Sequence, residues 1–268
     1  MMRNTWIENS VPLRAAFLAH SKTVRAEVRF QVVTRAIIEH FSGNRLRILD
    51  VGGGAGEQAF RLAEFGHQVV VVDPDPDMIE EGLNHSQKFA HKVADVTFIH
   101  GTAASLASTS GAGQFDLICC HSVLMYLQRP NALLNDLAKL THCTGAVSIL
   151  SLNSEGAAMR SGMQRRWVDA ACCLEAHGQT EREYARAFAH TRSSTVRTLG
   201  RLGFRLEYWQ GVGMFSDHLP ADHQESDLDS LVELEWQVGS RDPYRRLARN
   251  YHMLFRRHSK ALDAIHLC

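Results

Sequence analysis

A glycine-rich segment, Asp50-Val51-Gly52-Gly53-Gly54-Ala55-Gly56, has the clearest chemical character in this sequence. Glycines permit a tight turn from a strand into a helix and let a ligand approach the backbone. A turn with GxGxxG spacing binds pyrophosphate at the helix N-terminus. The spacing here is GxGxG, and Asp50 directly before it would repel a phosphate but suit a cationic group. The turn therefore favours a ligand that carries a positive charge beside it.

A second carboxylate, Asp73, ends the next apolar run. A carboxylate at that point can accept hydrogen bonds from both hydroxyls of a ribose. These features are typical of a site for S-adenosylmethionine: a glycine turn, a carboxylate that accepts hydrogen bonds from a ribose, and no group that must bind phosphate. Its demethylated product is S-adenosylhomocysteine. Two other interpretations stay open: a nucleotide-dependent oxidoreductase, and a tight turn that binds no ligand.

Strands and helices alternate around these residues. Short apolar runs predict strands over 46–51, 69–72, 96–100, 115–120 and 145–152. Apolar residues at helical spacing predict helices over 25–41, 55–65, 77–89 and 132–140. This alternation predicts an α/β fold in which helices cover both faces of a parallel sheet.

The pattern changes after the fifth predicted strand, and we divide the chain there. Residues 1–152 form the N-terminal helices and the cofactor-binding half, and 153–190 form a helical cap without a clear strand. Residues 191–268 complete the same domain, with helices over 193–202 and 227–238 and a strand over 204–209. Residues 250–257 are a last strand or the end of a helix.

Composition excludes several classes of protein. The chain has 268 residues, of which 45% are hydrophobic, so it is neither disordered nor of low complexity. No apolar stretch is long enough for a membrane helix, and the N-terminus lacks the pattern of a signal peptide. The six cysteines show no CxxC spacing. We therefore expect a reduced, cytoplasmic protein with no metal site and no membrane partner.

The net charge of zero conceals an uneven distribution. Residues 156–206 carry nine arginines against four acidic residues, and residues 241–268 carry seven basic residues against two acidic ones. Between them, residues 207–240 contain eight acidic residues and neither lysine nor arginine. The two basic segments could track the phosphates of a nucleic acid or lie on solvated helix faces.

The sequence resembles the class I, Rossmann-like S-adenosylmethionine-dependent methyltransferases over residues 22–257. The matching segments are LDVGGGAG, VVVVDPDPDMI, FDLICCHSVLMYL and TGAVSIL. This resemblance implies a seven-stranded, mostly parallel sheet whose last strand runs antiparallel. The helical cap would then be inserted after the fifth strand, and 204–209 and 250–257 would be strands six and seven.

A narrower resemblance is to the tRNA 5-carboxymethoxyuridine methyltransferases, which esterify the carboxylate of a wobble uridine. It rests on Lys22, Arg25 and the segments LDVGGGAGE, GHQVVVVD, FIHGTAAS, HSVLMYL, Asn153-x-x-Gly156 and ELEWQVGSRDPYRRLARNYH. The family commonly has an acidic residue where Ala104 or Ser105 stands here, and a tryptophan at Tyr126.

The resemblance implies a set of cofactor contacts, to which the glycine turn and the segment around Asp73 add four residues. The implied contacts are Arg25, Gly52, Gly53, Asp73, Thr102, Ala103 and His121. The added candidates are Asp50, Gly54, Pro74 and Met78. The acceptor-binding candidates are Tyr126, Asn153, Arg160, Arg201 and Tyr244.

Methyl transfer from a sulfonium is an in-line displacement, in which the protein mainly aligns the reacting atoms. A carboxylate nucleophile is already ionised at neutral pH and needs no general base, but it needs a cationic clamp such as arginine. His121 is the one candidate base by its position. We expect it to contact the cofactor, and packing or base catalysis are the alternatives.

Three functions therefore remain after the sequence is considered. The C-terminal motif favours a methyltransferase of a tRNA carboxylate. The unfamiliar cap favours a methyltransferase of a small molecule, such as a carboxylic acid metabolite or a natural-product intermediate. The third is a methyltransferase-like fold that binds another nucleoside or none. The oligomeric state stays open.

Overall fold

The computed structural model describes residues 10–43, 45–89, 95–109, 113–175, 179–181 and 186–258. The strands in these ranges are β1 (Arg47–Val51), β2 (Gln68–Asp73), β3 (Val96–His100), β4 (Phe115–His121), β5 (Thr141–Leu152), β6 (Gln179–Glu181), β7 (Arg186–Phe188), β8 (Phe204–Val212) and β9 (Asn250–Arg257). The helices are α1 (Ser10–Ser21), α2 (Val24–His40), α3 (Glu57–Glu64), α4 (Pro76–Phe89), α5 (Ala103–Thr109), α6 (Asn131–Leu140), α7 (Ser154–Met163), α8 (Trp167–Leu174), α9 (Arg192–Arg201), α10 (Leu228–Gly239) and α11 (Tyr244–Leu247).

Seven of these strands form one sheet in the order β3-β2-β1-β4-β5-β9-β8. The first five pair in parallel, and β9 runs antiparallel to both β5 and β8. The predicted Rossmann-like sheet of seven strands with an antiparallel last strand is confirmed. The strand order reverses between β1 and β4, and in such sheets ligands bind beyond the carboxyl ends of the strands at this switch point.

Two apolar layers cover the sheet. The strand β2 shows why: Val69 and Val71 pack on the side of α2, α3 and α10, while Val70 and Val72 pack on the side of α5, α6 and α9. A strand buried on both faces needs apolar residues at every position, and the run QVVVVD supplies them. The central strands thus form a rigid platform for the residues at their ends.

Several boundaries differ from the sequence-based expectations. Helix α3 begins at Glu57 rather than at residue 55, because Gly56 is left-handed with φ +87° and cannot continue a helix. Residues 250–257 form a strand, which settles that ambiguity. The expectation that 153–190 contains no strand is wrong, since β6 and β7 pair there as a short antiparallel hairpin. Helix α1 belongs to the expected N-terminal helices, although the sequence patterns gave no bounds for it.

The described cysteines Cys119, Cys120, Cys143, Cys172 and Cys173 are all free thiols, and Cys268 lies outside the described residues. Among the helices of the described ranges, none is both long and apolar enough to cross a membrane.

The Asn-x-x-Gly motif joins the segment after β5 to the C-terminal part of the chain. Asn153 caps α7 by accepting a hydrogen bond from the Glu155 amide at 3.3 Å, and its Nδ2 donates to the carbonyls of Arg246 (2.6 Å) and Ala248 (2.8 Å). Gly156, one turn into α7, lies so close to this loop that an added Cβ would be 2.1 Å from the Ala248 oxygen. The motif therefore locks α7 against residues 246–248.

Replacing Gly156 with alanine should destabilise the protein, because the new methyl group meets backbone that cannot move aside cheaply. We expect a loss of about 1–3 kcal/mol in the free energy of unfolding, measured by urea denaturation. Gly162→Ala in the same helix is the matched control, since nothing lies within 4 Å of its Cβ position. That variant should gain about 0.5–1 kcal/mol from helix propensity. Equal effects of the two substitutions would contradict the packing described here.

Candidate functional site

Two adjoining cavities open at the carboxyl ends of β1, β2 and β4. We name them after one carboxylate in each. Arg29, Asp50, Gly53, Glu57, Gln58 and Leu150 line the Asp50 cavity. Gly54, Asp73, Pro74, Met78, Tyr126 and Leu127 line the Asp73 cavity. Phe17, Gly52, His121 and Ser122 line both, so the cavities form one continuous site.

The turn between β1 and α3 requires its glycines. Gly52 and Gly54 are left-handed, with φ +67° and +58°. A Cβ on Gly52 would lie 2.6 Å from Val123 Cγ2, and one on Gly54 would lie 2.7 Å from Met78 Cε. The turn therefore leaves no room for a side chain at either position. Its backbone lines both cavities at Gly52 and the Asp73 cavity at Gly54.

Asp73 connects the end of β2 to the glycine turn. Its Oδ2 accepts the Gly54 amide at 3.0 Å, and its Oδ1 accepts the Asp75 amide at 2.9 Å. Burial raises the pKa of Asp73 to about 6, although these two hydrogen bonds act in the opposite direction. A carboxylate offers about four lone-pair positions, so both oxygens can still accept hydrogen bonds from a pair of ligand hydroxyls.

Asp50 is buried in β1, and one of its two carboxylate oxygens, Oδ2, has no hydrogen-bond partner among the described residues. Burial, followed by the nearby charges of Asp73 and Glu57, raises the pKa of Asp50 to about 7. An approaching cation would relieve this cost, so the Asp50 cavity suits a positively charged ligand group.

Arg29, on α2, lines the Asp50 cavity together with Glu57 and was missed by the sequence analysis. Its guanidinium lies 4.7 Å from the Phe30 ring centre and makes no hydrogen bond or ion pair with any described residue. Burial lowers the pKa of Arg29, while Glu57 and Tyr126 act to raise it. The one available indication was its position four residues after Arg25, on the same helix face.

Helix α1 contributes Phe17 to the lining of both cavities, which the sequence analysis also missed. Arg14 pairs with Asp75 at 3.2 Å and with Asp77, both just after β2. This contact places Phe17, one turn further along α1, against both cavities. No glycine or charge pattern around α1 indicates that role.

His121 ends β4 and lies on both cavities. Its Nε2 is 2.8 Å from the Ser148 hydroxyl, and its Nδ1 is buried without a partner in the described residues. Burial, with a further contribution from Arg29, lowers the pKa of His121 to about 3. The ring is therefore neutral at physiological pH and is a weak proton acceptor.

The remaining predicted cofactor contacts lie at the margin of the site. Arg25 lines neither cavity, and its buried Nε has no hydrogen-bond partner among the described residues. Thr102 and Ala103 start α5, where Thr102 Oγ1 accepts the Ser105 amide at 3.1 Å. Their assignment as cofactor contacts stays a prediction.

Of the predicted acceptor-binding residues, Tyr126 alone lines one of the two cavities described here. Asn153 holds the loop at 246–248, as described above. Arg160 donates to the carbonyl and the carboxylate of Asp217. Arg201 ends α9 just before β8 begins, at the sheet edge opposite to the site. Tyr244 is 40% exposed and packs on Phe215, with the ring centres 6.2 Å apart.

The sequence of this chain is similar to those of known methyltransferases. A family model described as a methyltransferase domain matches residues 42–196, which is more than half of the chain. The tRNA 5-carboxymethoxyuridine methyltransferase of Escherichia coli (strain K12) is 29% identical over 238 residues, covering 87% of this chain and 88% of that protein.

Solved structures agree with the fold. The magnesium protoporphyrin IX methyltransferase of Synechocystis PCC 6803 with bound SAH superposes with a TM-score of 0.56 and 15% identity, over 87% of this chain and 84% of that one. The 1,6-didemethyltoxoflavin-N1-methyltransferase of Burkholderia thailandensis gives a TM-score of 0.55 and 16% identity, over 94% and 90%. At these identities the likeness concerns the fold and leaves the methyl acceptor open.

The raised pKa of Asp50 predicts a pH dependence of the stability of the unliganded protein. The folded pKa of about 7 exceeds the unfolded value of about 3.9, so the folded state binds the proton more tightly. The free energy of unfolding should therefore fall as the pH rises from about 4 to about 7, with a slope of up to ~1.4 kcal/mol per pH unit.

Asp50→Asn isolates this contribution, because the amide has nearly the same shape and carries no charge at any pH. We expect the variant to gain stability relative to the parent as the pH rises through this window, measured by urea denaturation at several pH values. A difference between the two proteins that stays constant between pH 4 and pH 8 would exclude a raised pKa for Asp50.

Proposed function

Because the chain belongs to the methyltransferase-domain family, we propose that it transfers the methyl group of S-adenosylmethionine to a carboxylate, that of 5-carboxymethoxyuridine in tRNA. The observation that carries this acceptor is the similarity to the Escherichia coli enzyme over nearly the whole of both chains. It extends beyond the cofactor-binding half to the residues after β5, where methyltransferases of different acceptors are expected to diverge. A tRNA acceptor also agrees with the cytoplasmic location expected from the sequence.

The two cavities match the two ends of S-adenosylmethionine. The nucleoside fits the Asp73 cavity, where the Asp73 carboxylate accepts hydrogen bonds from the ribose hydroxyls. Pro74 and Met78 supply apolar contacts there. The adenine edge then meets backbone groups at the start of α5, because the Ser105 hydroxyl is engaged with the Thr102 amide (3.0 Å) and carbonyl (2.8 Å). This replaces the acidic side chain of related enzymes.

The Asp50 cavity fits the amino-acid end of the cofactor. The ammonium group pairs with the buried Asp50 carboxylate, which lowers the cost of ionising it. The Arg29 guanidinium, which has no ion-pair partner among the described residues, pairs with the cofactor carboxylate. The sulfonium then lies between the cavities, beside Gly52 and Ser122 at their junction.

The chemical step needs alignment more than acid–base groups. A carboxylate oxygen of the acceptor attacks the methyl carbon, the carbon–sulfur bond breaks, and its electron pair stays on sulfur to give S-adenosylhomocysteine and a methyl ester. The acceptor is ionised before it binds, so no proton is removed. His121, with its low pKa, is suited to orient a ligand and is poorly suited to act as a base.

The two basic segments of the sequence meet on the protein surface, which supports a polyanionic acceptor. Arg192, from the first segment, and Arg245, from the second, each lie 4.3 Å from the Trp209 ring centre. Trp209 is on β8, three strand spacings or about 14 Å from β4 and the site. Phosphates near a nucleotide held in the site can reach this Arg–Trp–Arg cluster. Of the nine arginines in the first segment, Arg182 lies outside the described residues.

Asp73→Asn should weaken the binding of S-adenosylmethionine about 10- to 150-fold, because an amide nitrogen cannot accept a hydrogen bond from a ribose hydroxyl. Isothermal titration calorimetry measures this effect directly. Asp95→Asn, which alters a surface pair with Arg45, is the control and should bind normally. Unchanged affinity of a folded Asp73→Asn protein would refute the placement of the ribose.

The acceptor is tested with S-adenosylmethionine labelled in the methyl group. Incubation with tRNA that carries unmethylated 5-carboxymethoxyuridine should label the RNA, and mild alkali should release the label, as expected of an ester. If the label enters a small carboxylic acid of a cell extract and not the tRNA, the tRNA proposal fails and the small-molecule alternative holds.

Arg192→Ala should weaken tRNA binding and reduce the slope of log affinity against log salt concentration by about 1, the effect of losing one phosphate contact. The matched control is Arg35→Ala, since Arg35 also stacks on a tryptophan at 4.3 Å, Trp236, outside the two basic segments. Equal effects of the two substitutions on the salt slope would show that the Arg–Trp–Arg cluster does not contact tRNA.

A further inference from the structure

A chain of hydrogen-bonding side chains crosses four adjacent strands and ends at the site. His121 Nε2 on β4 lies 2.8 Å from Ser148 Oγ on β5, which lies 2.8 Å from His252 Nε2 on β9. His252 Nδ1 lies 3.3 Å from Gln210 Nε2 on β8, and the Tyr208 hydroxyl donates to Gln210 Oε1 at 2.8 Å. All five side chains lie on the sheet face covered by α2 and α10.

The interior of this hydrogen-bond chain is fully buried. Ser148, Gln210 and His252 each have 0% of their surface exposed, although apolar residues would satisfy the packing of this layer. Burying polar groups is costly unless every one is hydrogen-bonded, and a connected network then rigidifies its members. One ring atom of the chain stays without a partner in the described residues, Nδ1 of His121, and His121 lines both cavities.

The direction of the hydrogen bonds follows from the Gln210 amide. The 2.8 Å contact suits a hydroxyl donating to the amide oxygen, and the 3.3 Å contact suits the amide nitrogen donating to His252 Nδ1. His252 Nδ1 is then an acceptor, so its Nε2 carries the proton and donates to Ser148. Ser148 in turn donates its single hydroxyl proton to His121 Nε2. The only proton of a neutral His121 ring therefore resides on Nδ1.

We propose that the chain Tyr208–Gln210–His252–Ser148 is a positioning device, which holds His121 as the Nδ1–H tautomer and so gives the cavities a fixed, uncharged hydrogen-bond donor for a ligand carboxylate. The last step of this inference rests on the proposed function. Two carboxylates could receive the hydrogen bond: that of the methionine end of S-adenosylmethionine, and that of the methyl acceptor.

The surroundings of His121 agree with a donor of this kind. Burial and the Arg29 cation hold the pKa of the ring far below neutrality, so it does not compete with Arg29 as a second positive charge. The neighbouring Arg29 attracts the same anionic ligand group, since both side chains line the Asp50 cavity. A neutral donor beside a guanidinium adds a directed hydrogen bond to the carboxylate without adding a second positive charge.

The tautomer is measured by nitrogen-15 NMR of the histidine rings in the unliganded protein, where the protonated nitrogen has a distinct chemical shift. We expect His121 to be protonated on Nδ1 alone. Ser148→Ala cuts the chain, and Tyr208→Phe releases the Gln210 amide to rotate, so each variant should populate the Nε2–H tautomer. Tyr251→Phe is the matched control, because it removes an equally buried hydroxyl that contacts Thr195 at 3.2 Å outside the chain.

A single Nε2–H tautomer in the parent protein would overturn the proposal, as would variants in which His121 stays protonated on Nδ1 alone. Because this measurement needs neither cofactor nor acceptor, its result is independent of the proposed methyl transfer.

The source of the carboxylate is distinguished by binding and kinetics of Ser148→Ala. A 3- to 10-fold loss of affinity for S-adenosylmethionine, with none for its decarboxylated analogue, would assign the hydrogen bond to the cofactor. Unchanged cofactor affinity with a 3- to 10-fold rise in the KM for the acceptor would assign it to the acceptor. If neither quantity differs from that of Tyr251→Phe, His121 does not act as a donor to a carboxylate.

Discussion

Two carboxylates buried close together at one edge of the sheet are the constraint on which the site depends. Burial raises the pKa of both Asp50 and Asp73, but the two carboxylates differ in their hydrogen bonds to the glycine turn. The turn donates the Gly54 amide to Asp73, whereas Asp50 Oδ2 receives no donor from the described residues. Ionised Asp50 is therefore costly in the unliganded site, and a ligand with an ammonium or sulfonium group next to it would reduce that cost.

This constraint explains why so much of the neighbouring sequence is small or neutral. A Cβ on Gly53 would lie 2.7 Å from Asp50 Oδ2, so a bulkier residue would displace the carboxylate. Burial and the Arg29 cation lower the pKa of His121 to about 3, so the ring adds no second positive charge to the cavities. Arg29 is then the cation that remains at the site, where it can pair with an anionic ligand group.

Local patterns in the sequence predicted the platform better than the complete site. The apolar strand runs are patterns of residues close together in the sequence, and so is the glycine turn with Asp50 and Asp73. Both can therefore be recognised from the sequence alone. Other parts of the site join elements that are far apart in the chain, namely Arg29, Phe17 and the Ser148–His252 contact. Because these contacts are not local, no spacing in the sequence predicts them. The Asn153 motif is an opposite case. It is recognisable in the sequence and was predicted to bind the acceptor, but its side-chain amide donates to the loop at residues 246–248.

The neutral total charge has a structural explanation that bears on a polyanionic acceptor. Within the acidic segment 207–240, Glu235 accepts the amides of residues 214–216, and Asp217 pairs with Arg160 and Arg249. Glu207 pairs with Arg256. These carboxylates stabilise the fold and pair largely with arginines of the two basic segments. These contacts tie Asp217 and Glu207 of the acidic segment to arginines of both basic segments. Of the two arginines on Trp209, Arg245 pairs with Asp242 at 2.8 Å, whereas Arg192 stacks on the uncharged ring at 4.3 Å.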